Sequence, residues 1–96
     1  MVDVAMVGAG QTPYGTHPAA MKDMWADAVR ACFDTIDGDL APSSVDEVFL
    51  GSTAFGGGQL GNTAAYLAEH AGMAGIPARR IENACASSGF ALRDGW

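Results

Sequence analysis

Apolar positions follow two rhythms along this chain, and the change between them divides it into elements. Residues 2–7 are rich in β-branched Val2, Val4 and Val7, and Gly8 and Gly10 follow, which predicts a buried strand ending at a glycine turn. Residues 11–17 read as loop, punctuated by Pro13 and Gly15. Met21, Trp25, Ala28, Cys32 and Ile36 then recur every three or four residues, and Met24, Val29 and Phe33 widen the stripe. With Asp23, Asp27, Arg30 and Asp34 mostly on the other side, this predicts an amphipathic helix over residues 20–36, with Gly38 as terminator. Residues 41–46 form a connection in which Ser44 and Glu47 have the spacing of a local cap. Residues 47–50 read as a second strand closed by Gly51, and residues 52–60 as a glycine-rich loop. A second helix is expected over residues 62–71, with Asn62 as its cap and Gly72 as its stop. Its Ala64, Ala65, Ala68 and Ala71 would let it lie close to a neighbour. After Ile76 and Pro77, residues 80–83 read as a third extended segment and residues 86–93 as a third helix. Strand, helix, strand, helix, strand, helix is the pattern of an α/β layered protein.

Three strands with open edges are poorly protected, and the chain stops at Trp96 shortly after the last helix begins. The expectation is that residues 1–96 are one partial N-terminal domain of a longer protein. Composition fits a globular domain: 49% of the 96 residues are hydrophobic, and 13 glycines are clustered rather than periodic. Eleven acidic residues against five basic ones give a net charge of −6, with no basic patch to neutralise a phosphate backbone. Nucleic acid is therefore not an expected partner. No apolar run approaches the length needed to cross a bilayer, and Asp3 precedes any basic residue, so neither a membrane span nor a signal peptide is expected. Cys32 and Cys85 are far apart and form no CxxC unit, which favours free thiols and a cytoplasmic location.

The stretch richest in chemistry is Asn83-Ala84-Cys85-Ala86-Ser87-Ser88-Gly89. It puts a cysteine between an extended segment and a helix start, where unpaired N–H groups and the helix dipole favour an anion. A thiolate there would attack a thioester and hold the acyl group as another thioester, still activated for transfer. Read from pattern alone, Cys85 is open to two roles, nucleophile or inert buried thiol. The other candidates have blander readings. Gly8, Gly10 and Gly15 lack the spacing of a dinucleotide fingerprint and are assigned to a structural turn. Cys32 lies on the apolar stripe and is expected to be buried and inert, with Trp25, Met21 and Met24 as packing residues. Met73 is placed near an interface or pocket. His17 and His70 are remote in sequence from Cys85, and no Cys/His/Asp cluster suggests a metal. Asp46 and Glu47 read as a solvated turn pair. Gln59 and Asn62 either position the cysteine loop or a partner subunit, or satisfy loop backbone groups.

Cys85-Ala86-Ser87-Ser88-Gly89 with Ala91-Leu92-Arg93 resembles the nucleophile segment of thiolases, in particular the archaeal and sterol-carrier-associated branch. Three further stretches are similar to that family in the same order: residues 4–15 through Thr12-Pro13-Tyr14-Gly15, residues 45–51, and Gly58-Gln59-Leu60-Gly61-Asn62 leading to Ala71-Gly72 and Ile76-Pro77. Ser88 stands where many relatives carry glycine. The resemblance implies an α-β-α-β-α layered fold of two similar halves, this chain giving part of the first. It also implies an acyl-CoA acyltransferase of the acetyl-CoA acetyltransferase type, working without a redox cofactor by condensation or thiolysis. Cys85 would be the catalytic nucleophile, and its N–H would help hold an oxyanion. A histidine and a second cysteine would come from beyond residue 96. The substrates implied are acetyl-CoA and other acyl-CoA thioesters, and the assembly a homodimer or dimer of dimers, with other acyltransferase subunits as possible partners. Hydroxymethylglutaryl-CoA synthase and ketoacyl synthase relatives, and a non-catalytic acyl-CoA or lipid-binding scaffold, stay open as alternatives.

Overall fold

A computed structural model describes residues 3–53 and 61–96 of the chain. The first helix, α1 (Met21–Asp34), forms where the apolar stripe lies, and leaves the helix at Thr35, whose hydroxyl donates to the Cys32 carbonyl at 2.7 Å. Asp27, Arg30 and Asp34 face solvent, and Arg30 pairs with Asp27 at 2.8 Å. A short 3₁₀ turn, Pro42–Ser44, leads to strand β1 (Val48–Gly51). The cap expected between Ser44 and Glu47 does not form. The Ser44 hydroxyl donates to the Ala41 carbonyl at 2.6 Å, closing its own turn, and Glu47 reaches Arg79 at 3.5 Å.

Helix α2 (Thr63–His70) follows its sequence signals closely. The Asn62 side chain accepts from the Ala65 N–H at 3.4 Å, so this residue does serve as the cap. At the other end Gly72 takes φ +87°, Gly72 N–H donates to the Glu69 carbonyl at 3.3 Å and Met73 N–H to the Ala68 carbonyl at 2.8 Å. That double bond pattern is a Schellman motif. It turns Met73 into the interior, where it is 5% exposed, so Met73 is a core residue. An Asn62→Ala chain is expected to lose about 0.5–1 kcal/mol, because the cap bond is long and its surroundings open. A chemical denaturation midpoint checks this.

Strand β2 (Ala78–Ile81) runs parallel to β1, with Val48 opposite Ala78 and Gly51 opposite Ile81. Val48 N–H to the Pro77 carbonyl at 2.9 Å and Ser52 N–H to the Ile81 carbonyl at 3.1 Å extend the ladder at its two ends. The parallel pair is joined through α2, a βαβ unit. This strand lies two residues earlier than the pattern places it. Asn83 N–H is already taken by the Ser87 hydroxyl, so the chain has left the ladder there. The last helix, α3 (Ser87–Gly95), packs chiefly on β1, burying Ala91 and Ser87. Gly95, unexplained by pattern, brings the helix end against the Phe49 ring.

The core is where these elements meet. Leu50, Ala64 and Leu67 are buried together, with Met21, Trp25 and Ala78 packed against them. Small Ala64 and Ala68 let α2 lie close to the sheet, as their lack of bulk implies. No helix among the described residues is long and apolar enough to cross a membrane.

The strand expected over residues 2–7 is not formed over its described part, and Val4, Met6 and Val7 are exposed. The reason lies at Gly8 and Gly10. A Cβ on Gly8 would stand 2.7 Å from Ile36 Cγ1, and one on Gly10 would collide with the Cys32 nitrogen and the Ala28 carbonyl. These glycines allow the backbone to lie directly on α1, and Ala9 N–H donates to the Thr35 hydroxyl at 3.1 Å. They are contact residues and not a turn. An apolar cleft of about 540 Å³ separates Val4–Met6 from Phe49–Gly51, so the segment lies beside the sheet without joining it. The described sheet has two strands.

Candidate active site

The connection from β2 to α3 is five residues, tied by hydrogen bonds at Glu82, Asn83, Ala84 and Ala86. Ala84 has φ +46°, the left-handed region that a residue with a Cβ enters at a cost of roughly 1 kcal/mol. Its N–H donates to the Glu82 carboxylate. The Ser87 hydroxyl, on a residue only 4% exposed, accepts from Asn83 N–H at 2.8 Å and donates to the Ala84 carbonyl at 2.7 Å. Ala86 N–H to the Asn83 carbonyl at 2.9 Å and Ser87 N–H to the Ala84 carbonyl at 3.2 Å complete the turn. Cys85 sits at the outside of this bend, two residues before α3 begins. Its thiol is free and exposed.

α3 reaches this position because β1 ends in Gly51. A Cβ there would lie 2.5 Å from Ser88 Cα, 2.6 Å from Ser88 N and 2.8 Å from the Ser87 carbonyl carbon. The end of the strand and the first turn of the helix are therefore in backbone contact. The contrast is Gly89, read from sequence as a place of close approach: no protein atom lies within 4 Å of a Cβ placed there.

Cys85 opens onto a broad cleft of about 1220 Å³, lined also by Thr12, Met24, Cys32, Ser52 and Thr63. Its lining combines apolar Trp25, Leu50 and Leu67 with the hydroxyl residues Thr12, Ser52 and Thr63. A cleft of this kind, apolar with a few polar groups, suits an organic ligand. Cys32 is half-exposed on its wall, which corrects its expected burial. α1 lays this part of its stripe against the glycine segment and the cleft, and no apolar element among the described residues covers the thiol. Neither histidine lines the cleft. His17 bonds the Pro13 carbonyl at 2.6 Å, and His70, in the last turn of α2, bonds Asp23 of α1 at 3.0 Å. Gln59 lies outside the described residues. Asn62 is the helix cap described above, which is the backbone-satisfying role.

Sequence reasoning missed three parts of this site. Ser87 carried a readable signal, a short hydroxyl beside a helix start. Gly51 carried a weaker one, as a glycine closing a strand. Ala84 carried none, because alanine is not a residue that marks left-handed backbone.

Residues 4–96 match the model of the family described as "Thiolase, N-terminal domain". The chain is 33% identical over 97 residues to the acetyl-CoA acetyltransferase of Methanothermobacter thermautotrophicus, covering 99% of this chain and 25% of that protein. It is 38% identical over 100 residues to the acetyl-CoA acetyltransferase of Methanocaldococcus jannaschii, covering 97% of this chain and 24% of that protein. The chain thus spans about a quarter of the length of the curated relatives it matches.

Proposed function

Because the chain belongs to the thiolase family and matches its N-terminal domain, we propose that Cys85 is the acyl-accepting nucleophile of an acyl-CoA acyltransferase of the acetyl-CoA acetyltransferase type. The observation that carries this reading is a free, exposed thiol on a stapled strand-to-helix turn, opening onto a large apolar cleft.

The chemistry follows from the thiol. The Cys85 sulfur, as thiolate, adds to the carbonyl carbon of an acyl-CoA, and the carbonyl oxygen takes the negative charge. The Cys85 N–H, which the bonds of the turn leave unused, is suited to hold that oxygen. The tetrahedral species collapses with loss of the CoA thiolate, leaving an acyl group on Cys85. One thioester has been exchanged for another, so the acyl group stays activated. A carbon nucleophile then completes condensation; in the thiolysis direction the sulfur instead adds to the ketone carbon of a 3-ketoacyl-CoA, the C–C bond breaks with acetyl-CoA leaving as its enolate, and CoA takes the acyl group from Cys85. Proton transfers in both steps need a base and an acid, which in this proposal come from a histidine and a second cysteine beyond residue 96. The working assembly is a cytoplasmic homodimer or dimer of dimers, taking acetyl-CoA or a longer acyl-CoA, with other acyltransferase subunits as candidate partners.

The full-length protein exposed briefly to acetyl-CoA is expected to gain the mass of one acetyl group, on the peptide that contains Cys85. Acetyl-CoA bound without a covalent adduct would favour a non-catalytic binding protein instead. The 96-residue chain alone is expected to show negligible turnover, and robust thiolysis by it would contradict the division of labour proposed here.

A further inference from the structure

We propose that Ser87 is a positioning residue for Cys85, acting by holding Ala84 in its left-handed conformation; this rests on the nucleophile reading above. Ala84 immediately precedes the cysteine, and its φ of +46° sets the direction in which the Cys85 side chain leaves the backbone. An alanine left to itself returns to negative φ, because its Cβ crowds the neighbouring carbonyl on the left-handed side. Such a conformation persists only where the surroundings over-determine it. Here one hydroxyl does so from both ends. Ser87 Oγ accepts from the N–H of Asn83, before the strained residue, and donates to the carbonyl of Ala84 itself. At 4% exposure the Ser87 side chain is shielded, so water competes poorly for either bond. Glu82, which takes the Ala84 N–H, is exposed and holds less firmly.

The residue type is specific to the task. The hydroxyl must donate and accept at once, and it must reach back from the first residue of α3. Alanine offers neither bond and leaves Asn83 N–H without its partner. The helix does not need the serine for its own cap, since the N-cap position is Ala86 and carries no side-chain bond. Both Ser87 bonds are thus directed at the turn that carries the thiol.

The test measures alkylation of Cys85 by iodoacetamide in the full-length protein, mapped by peptide mass, together with single-turnover acylation by acetyl-CoA. Ser87→Ala is expected to slow alkylation about tenfold with the helical circular dichroism unchanged. Adding Ala84→Gly is expected to bring the rate back to within about threefold of the unsubstituted protein, because glycine occupies the left-handed region without a clasp. A purely structural serine would not be rescued in this way. Acylation should lose the same factor in its rate constant, with the half-saturating acetyl-CoA concentration unchanged. Should Ser87→Ala fail to fold, Ala84→Val makes the same point. Ala84 is exposed, and a branched side chain there opposes the left-handed backbone more strongly than alanine does, so the slowing should recur with Ser87 intact. The proposal is overturned if Ser87→Ala or Ala84→Val alkylates at the original rate. It is also overturned if the folded double variant stays slow, or if only affinity for acetyl-CoA changes. Normal alkylation with no acyl group accepted by the unsubstituted protein would sink the nucleophile reading alone, since the iodoacetamide series does not depend on acyl transfer.

Discussion

A Gly51→Ala chain is expected to lose about 2–3 kcal/mol of stability. The added Cβ would meet Ser88 Cα at 2.5 Å, Ser88 N at 2.6 Å and the Ser87 carbonyl carbon at 2.8 Å. All three are backbone atoms, so no side-chain rotation relieves the overlap. Either β1 bends at its last residue or the first turn of α3 lifts off the sheet. β1 is fixed through its ladder with β2, from Val48 opposite Ala78 to Gly51 opposite Ile81. The helix start therefore moves. Ser87 moves with it, and so does the clasp across Asn83 and Ala84. Slower alkylation of Cys85 should accompany the lower urea midpoint. The matched control is Gly89→Ala in the same helix. Nothing lies within 4 Å of the new methyl, and removing a helical glycine should stabilise by roughly 0.5–1 kcal/mol. Equal midpoints for the two variants would show that the strand-to-helix contact is not tight.

The opposite outcomes at two glycines illustrate what can be read from the sequence and what cannot. Helices α1 and α2 were legible because their signals are local. A 3.6-residue apolar period marks α1, and α2 has Asn62 before it and Gly72 after it. The second strand was legible as an apolar run closed by glycine. Information that depends on distant partners was not legible. Whether residues 4–7 form a strand depends on a sheet edge reaching them, and they stay exposed beside the sheet while Gly8 and Gly10 lie on α1. The start of β2 depends on which N–H groups β1 and Ser87 claim. Cys32 has the period of a core residue, yet among the described residues it lines a cleft.

At the candidate site the division is similar. The segment around Cys85 was legible as chemistry, since a cysteine among small residues before a helix has few neighbours to obstruct a ligand. Its placement relied on features with no sequence mark. Ala84 in the left-handed region and Gly51 in backbone contact with Ser88 are both consequences of the tertiary fold. A strained residue beside a reactive group is also where local rules are expected to be broken, because orientation there is worth more than ease of folding.

Cys85→Ala in the full-length protein is expected to lower acetyl transfer by at least about a thousandfold and to abolish the covalent acetyl adduct. The size follows from what the sulfur does twice. It must attack a thioester, and it must then leave from one. Cys85→Ser separates these duties. Serine keeps a nucleophilic atom at the same place on the bend, but a hydroxyl is far less acidic than a thiol and gives up its proton much less readily. Any ester it did form would be less activated than a thioester, so the second transfer would stall. The serine variant should therefore show either no adduct or a slowly formed adduct that does not turn over. Mass spectrometry after brief exposure to acetyl-CoA distinguishes these cases directly. An acetyl group carried undiminished by the Cys85→Ala protein would place the nucleophile elsewhere, and the stapled turn before α3 would then need another explanation.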